Sequence, residues 1–440
     1  MAALTGGRDW TNWSGLEWAR PAGVEFPRDV ADVVGAVRRA RAMGSAVKMT
    51  GTGHSFTAIA APRGTWLVPD NLTGVLAVDR TAMTVTVLAG TRLHELNVLL
   101  ERLGLSLHNM GDVDQQTVAG AISTGTHGTG GVTAGLAAQV AGLELVTGTG
   151  ELLRATATEN ADVLDLARVG LGALGVLTAV TLRVEPLFLL EARETPMTWA
   201  EALDGFDERT AAHHHVDTYW FPHTDRELTK TNDRLDADLD EADPLPPLRA
   251  WLEDDVLSNR VFGASHALTN RLPRTVAPFN RLATRLLAPR GYSDVAHRVF
   301  TAPRTVVFRE MEYAVPRAAG LDALRACRRA LEASDLRITF PVEVRTAPAD
   351  DVPLSTSSGR DTLYLAFHTH RDVDHRPYFR LVEPILREHG GRPHWGKVHT
   401  LGAADLAPLY PRFEEFLALR DRLDPDRVFA NDHLERVLGA

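Results

Sequence analysis

Between Gly111 and Gly131 the chain has few side chains large enough to build a core, because GDVDQQTVAGAISTGTHGTGG is dense in glycine, serine and threonine. Such a run is either a flexible linker or a surface whose backbone and hydroxyls line an extended polar ligand. Val118 and Ile122 supply anchors within it and well-patterned segments flank it, so binding outweighs linker. A shorter relative lies upstream, where Gly51-Thr52-Gly53-His54-Ser55 follows the strand-like Ala46–Thr50. Glycines there let consecutive backbone N–H groups turn toward an anion such as a pyrophosphate. Alone the pentapeptide reads as a sharp turn. Two cradles far apart in sequence, closing around one long ligand, restrict the fold much more.

The segments around them alternate helix and strand. Val30, Val33, Val34 and Val37 fall at helical spacing after Pro27, and Gly44 is placed to end that helix in a left-handed conformation. Strands are expected at Thr65–Val68, Val75–Val78, Thr84–Leu88, Val140–Val146 and Val176–Val184, with helices at Arg92–Leu103 and Asn160–Ala167. The whole of Gly111–Gly135 is expected as loop. Past Pro186 the texture changes. Residues 233–256 are acidic and proline-containing, as in an exposed connection; helical stretches near 276–300 and 316–333 flank strands near 305–314, 338–346 and 362–368, and a helix Pro411–Leu423 comes last. The expectation is an α+β protein of two domains. Residues 1–186 form the first, 187–410 the second (an antiparallel sheet flanked by helices), and 411–440 return to the first.

At 440 residues two domains are also the size-based prior. A net charge of -10 without a Lys/Arg run gives no reason to expect nucleic acid. The N-terminus lacks a cationic region followed by an apolar one, and no apolar stretch approaches the ~20 residues of a membrane span, so a soluble protein is expected. One cysteine, Cys327, fits a reducing, cytoplasmic compartment.

Gly170-Leu171-Gly172-Ala173-Leu174-Gly175 matches the dinucleotide fingerprint, yet it follows a helix and runs into a strand, the reverse of what that fingerprint needs. NAD on a Rossmann fold is therefore set aside. Glu343 and Arg345 share one face of a strand-like segment, as do His368 and His370. His394-Trp395-Gly396-Lys397, with His399, puts an aromatic, a cation and imidazoles within six residues. His213-His214-His215 precedes a strand, where neighbours alternate faces, and makes a poor metal site. No metal ligand set is expected.

In their order along the chain, the GTGHS turn, the GD…TVAGAISTGTHGTG loop, PVEVR, HWGK and the terminal LDPDRVFANDHL resemble the aldonolactone and alditol oxidases, flavoproteins of the vanillyl-alcohol-oxidase type. The resemblance runs from about Asn12 to Leu438 and is weakest between 190 and 310. HWGK and the terminal segment favour the sugar-lactone branch. The resemblance implies FAD bonded covalently through His54, with Thr50, Gly51, Thr52, Gly53 and Ser55 holding its pyrophosphate and ribityl chain. It implies a second cofactor-lining loop of Gly111, Asp112, Thr117, Gly120, Ser123, Thr124, Gly125, Thr126, His127 and Gly128, and a backbone contact to the adenine end from Val176. Glu343, Arg345, Lys397 and His368 would surround substrate and isoalloxazine, with His368 and Lys397 both open as the group that takes the hydroxyl proton. His370 departs from the smaller hydroxyl residue of polyol-oxidising relatives. Gly111 would leave oxygen room beside the flavin. The expected activity is oxidation of an L-gulono-1,4-lactone-like substrate, producing hydrogen peroxide. Alditol oxidation and a lactone dehydrogenase using another acceptor are the near alternatives. A metal-dependent lactonase using His368, His370 and Glu343 is the alternative from another class.

Overall fold

A computed structural model describes residues 8–246, 272–302 and 306–440. The N-terminal stretch, the later part of the acidic 233–256 segment and the start of the strand expected from 305 lie outside the described residues.

The valine stripe forms the helix Val30–Ala42, capped by the Asp29 carboxylate accepting from the Asp32 N–H. Gly44 follows with φ +59, the left-handed conformation that ends such a helix without a Cβ penalty. Val33, Ala36, Val37 and Ala40 pack between two sheets, against Val47 and Leu67 on one side and Val146 and Val176 on the other. The first sheet is parallel, with Thr65–Leu67 between Gly23–Glu25 and Val47–Met49. The second is antiparallel, in the order Leu152–Thr156, Val140–Val146, Val176–Arg183, Thr84–Leu88, Val75–Asp79.

Beyond Pro186 an eight-stranded antiparallel sheet runs Arg290–Val295, Leu189–Thr198, Arg226–Leu235, His215–Trp220, Val342–Ala347, Thr362–His370, Phe308–Pro316, Arg392–Pro393. Side chains alternate across it. One face presents Val342, Val344, Leu363, Leu365, Phe367, Met311 and Tyr313 to the helices Arg317–Glu332 and Arg376–Glu388, whose Leu324, Cys327, Phe379 and Val382 complete that core. At about 25 cal/mol per Å2 of buried apolar surface, this face supplies much of the driving force for folding the C-terminal half. The opposite face carries charge.

Two expectations are corrected. The Gly111–Gly135 loop contains a short helix, Val118–Ser123, because Thr117 caps it through the Gly120 N–H and Val118, Ala121 and Ile122 turn one apolar side inward. The helix expected over 276–300 is instead Val276–Arg285, an edge strand Arg290–Val295, and Ala296–Phe300. Pairing of that strand with Leu189–Thr198 overrides its weak helical pattern.

The C-terminal residues close back onto the N-terminal half. Val47 N–H donates to Val428 O at 2.8 Å. The Asp424 carboxylate accepts from the N–H groups of Val428 (2.7 Å) and Phe429 (3.0 Å), and Asn431 Nδ2 donates to the carbonyls of Ala58, Ile59 and Ala61. Among the described residues no helix is long and apolar enough to cross a membrane.

Candidate active site

A groove runs between the two N-terminal sheets, lined from both glycine-rich segments. Thr50, Gly51, Thr52, Gly53, His54 and Ser55 line one wall, and Thr117, Gly120, Ser123, Thr124 and Val176 the other. The two glycine-rich segments thus do meet, and closely. A Cβ at Gly51 would fall 2.3 Å from Thr117 Oγ1, and Gly53 turns at φ +72. The rejected fingerprint contributes as well, since Leu171, Gly172 and Gly175 line the same groove from a turn, not from a helix start. Lys48, which the sequence did not single out, also lines it, as does Phe429 of the terminal LDPDRVFANDHL motif. Lys48 Nζ donates to Gly172 O at 2.9 Å and Phe429 O at 3.4 Å, and burial pulls its pKa down to about 7.

These residues fit a dinucleotide. Backbone N–H groups of residues 51–55 find no acceptor among the described residues, a run of donors that an anion can take up. The buried Gln116 Oε1, on the groove wall, has no donor there either, while its Nε2 donates to Thr126 Oγ1. His54 stacks on Trp13 with ring centroids 5.5 Å apart. Burial, and then the charge of Lys397, hold its imidazole at a pKa of about 4, so at neutral pH it keeps the lone pair that a covalent bond to a flavin requires.

The remaining residues of the second loop lie outside the groove lining. Gly128 is packed so closely that a Cβ would sit 2.3 Å from Met110 O, and Gly125 turns at φ +75 against Val169. Thr126 meets Gln116, and Gly111 abuts His127 O, 3.0 Å from where a Cβ would stand. Asp112 lies 3.7 Å from Arg345 Nη2. His127 stacks on Tyr364, with centroids 3.6 Å apart, and its Nε2 lies 3.3 Å from Glu312. This loop therefore joins the groove to the charged face of the large sheet.

Register assembles that face. Asp217 pairs with Arg345 and Arg345 with Tyr364; Glu343 pairs with Ala366, and His368 with Glu310. Directly paired residues share a face, as do residues two apart, so Asp217, Glu343, Arg345, His368, Glu310 and Glu312 all project together. Arg345 Nε donates to Asp217 at 2.8 Å and its Nη2 lies 2.7 Å from Glu343. Burial raises the Glu343 carboxyl above its usual range although Arg345 opposes it. The HWGK turn completes the site from above. Phe56 N–H donates to Gly396 O at 2.6 Å, which docks the turn on the His54 segment, and Lys397 Nζ pairs with Glu310. His370 lies at the sheet end, 3.5 Å from the exposed Asp372.

His127, Glu312 and His394 form the one group of potential metal ligands among the described residues, and it differs from the His368, His370 and Glu343 set of a lactonase. His394 Nδ1 accepts from the Gly396 N–H, leaving its other nitrogen to carry the proton. Neither nitrogen offers a metal a free lone pair.

Residues 180–437 match the family model for D-arabinono-1,4-lactone oxidase, and residues 21–156 that for an FAD binding domain. The chain belongs to the aldonolactone oxidase family. It is 40% identical to L-gulono-1,4-lactone dehydrogenase of Mycobacterium tuberculosis over 98% of this chain and 99% of that one. Identity to L-gulonolactone oxidase of Mus musculus is 33%, covering 98% of each, and to alditol oxidase of a Streptomyces species 34%, covering 97% and 98%. The fold matches the crystal structure of cholesterol oxidase from B. sterolicum with a TM-score of 0.83 at 18% identity, covering 99% of this chain and 97% of that one. Like other members of this family, the chain is an FAD-dependent oxidoreductase acting on CH–OH groups.

Proposed function

We propose that this family member oxidises an L-gulono-1,4-lactone-like sugar lactone with FAD tethered through His54, reducing oxygen to hydrogen peroxide. One observation carries the reading. A groove lined by unpaired backbone donors ends at the neutral His54 imidazole, beside a buried face bearing Lys397, Arg345 and Glu343. FAD held there would supply the hydride acceptor for the carbon bearing the hydroxyl, and that hydride together with the proton released from the hydroxyl accounts for the reduction of oxygen to hydrogen peroxide. The chain does the rest. Glu343 accepts hydrogen bonds from lactone hydroxyls and fixes Arg345. Arg345 is permanently charged, so it orients and stabilises without acting as a base. Lys397 places a second cation where negative charge develops, in a site largely shut off from water. The division into 1–186, 187–410 and 411–440 gives the cofactor and the substrate a domain each, with the last segment closing the groove through Phe429. The single buried cysteine is compatible with a cytoplasmic location.

Lactone outranks polyol on the HWGK and terminal motifs. Oxygen as acceptor rests on the resemblance alone, in which Gly111 stands beside the flavin. The dehydrogenase reading is kept because a relative at 40% identity bears that name. A panel of gulono-, galactono- and arabinono-1,4-lactones and alditols, assayed for peroxide and for anaerobic dye reduction, tests both choices. Peroxide formed fastest with a lactone supports the proposal. Dye reduction without peroxide moves the acceptor, and an alditol preference moves the substrate.

A further inference from the structure

Glu310 was not among the residues singled out from the sequence, yet it lies at the junction of the charged face. It sits in Phe308–Pro316, directly opposite His368 in the antiparallel register, and is 4% exposed. One oxygen pairs with Lys397 Nζ and the other lies 3.6 Å from His368 Nε2. The other nitrogen of His368, Nδ1, is 3.2 Å from Pro341 O. A carbonyl only accepts, so Nδ1 carries a proton, and the charge state of the ring is decided at Nε2, facing Glu310.

We propose that Glu310 is a positioning residue of the active site, a single buried carboxylate that holds Lys397 and His368 as a pair of cations beside the His54 end of the groove. The proposal rests on the oxidative function above. Its physics is simple. Lys397 lies over the Phe56 ring, 5.1 Å from its centroid, and burial there disfavours an ammonium unless an anion compensates. Glu312, on the same strand, is engaged by His127, which leaves Glu310 as the direct partner of both cations. The other charged groups facing them are Glu343 and Asp112, which favour the cations, and Arg345, which Asp217 and Glu343 neutralise. The carboxylates of Glu310, Glu312, Glu343, Asp112 and Asp217 gather here around Arg345 and Lys397, with the imidazoles of His127 and His394 beside Glu312, and a protonated His368 adds a further cation to this acidic cluster.

Glu310→Gln keeps the shape and removes the charge. The test follows the His368 ring resonance by NMR against pH in the holoenzyme, assigned with His368→Asn, beside the pH profile of substrate-driven flavin reduction. The wild-type ring should titrate above the ordinary value of 6.5, losing its proton only as pH rises past that point. In Glu310→Gln its midpoint should fall below 6.5, the alkaline limb of the rate profile should move down with it, and kcat should drop about 100-fold with little change in KM. Glu310→Asp should restore most of the titration shift. An unchanged titration and pH profile in Glu310→Gln, even with lower flavin content or Tm, would make the residue structural and overturn the proposal. Should that variant not fold, a wild-type His368 midpoint at or below 6.5 overturns it equally. Failure of the wild type to reduce flavin with any lactone or alditol would instead sink the functional reading, which the titration does not depend on.

Discussion

Replacing Gly51 with alanine tests whether the two cradles really touch. The backbone there is not left-handed, so the substitution is decided by space. The new Cβ would lie 2.3 Å from Thr117 Oγ1, against ordinary contact beginning at 3.4 Å. The hydroxyl must retreat by about 1 Å, too far to keep accepting from the Gly120 N–H, 3.2 Å away. Loss of a threonine cap costs about 0.5–2 kcal/mol. Forcing a carbon into a tight site adds about 1–3 kcal/mol. The helix Val118–Ser123 floors the groove, so if about 2 kcal/mol of this falls on the form that docks FAD before the His54 bond is made, that non-covalent affinity drops about 30-fold. The flavin-to-protein absorbance ratio and the Tm of purified Gly51→Ala read both losses. Thr117→Ala deletes the clashing oxygen, so Gly51→Ala added to it should cost less than about 1 kcal/mol more, a coupling that a double-mutant cycle measures. Equal cost in both backgrounds would refute the contact.

Other substitutions probe separate parts of the account. Glu227 is fully buried, neither of its oxygens has a hydrogen-bond partner among the described residues, and burial raises its pKa to about 8, against the pull of Arg209 and Arg328. It stays protonated in the folded chain while the unfolded chain ionises near 4.5, so stability declines from pH 4.5 to 8 and levels off above. Denaturation of Glu227→Gln across that window should show the decline reduced by a few kcal/mol; parallel curves would contradict the assignment. Arg345→Lys loses the geometry that meets Asp217 and Glu343 together, and should cut kcat/KM at least 100-fold in steady-state assays while leaving flavin content intact. Gly111→Ala places a Cβ 3.0 Å from His127 O and should lower peroxide production more than dye reduction, measured side by side.

The local signals of the site were visible because they are matters of backbone chemistry. GTGHS, the capped valine helix and the i, i+2 pair Glu343 and Arg345 follow from glycine, capping and strand alternation. What was missed depends on docking. Lys48 is an ordinary strand lysine until the turn at Gly172 and the carbonyl of Phe429, 381 residues away, reach it. The 170–175 glycines match a Rossmann start in sequence, and their actual use, as a turn against the groove, needs the sheet partner that brings them there. The long strand Leu189–Thr198 buries only Leu189, Leu190 and Ala192 among charged neighbours, and Arg226–Leu235 buries Glu227, Thr229, Thr231 and Asn232, so neither shows a clear apolar alternation. Glu310 and Glu312 were within reach. Phe308-Arg309-Glu310-Met311-Glu312-Tyr313 shows the same i, i+2 pattern as Glu343 and Arg345, but two like charges on one face resemble an exposed surface in sequence.

The covalent anchoring of the cofactor by His54 is tested most directly by acid precipitation of purified wild type and His54→Ala, followed by the flavin spectrum of pellet and supernatant. Yellow pellet for the wild type and yellow supernatant for His54→Ala is the predicted result. Flavin released from the wild type, or held covalently by His54→Ala, would contradict it.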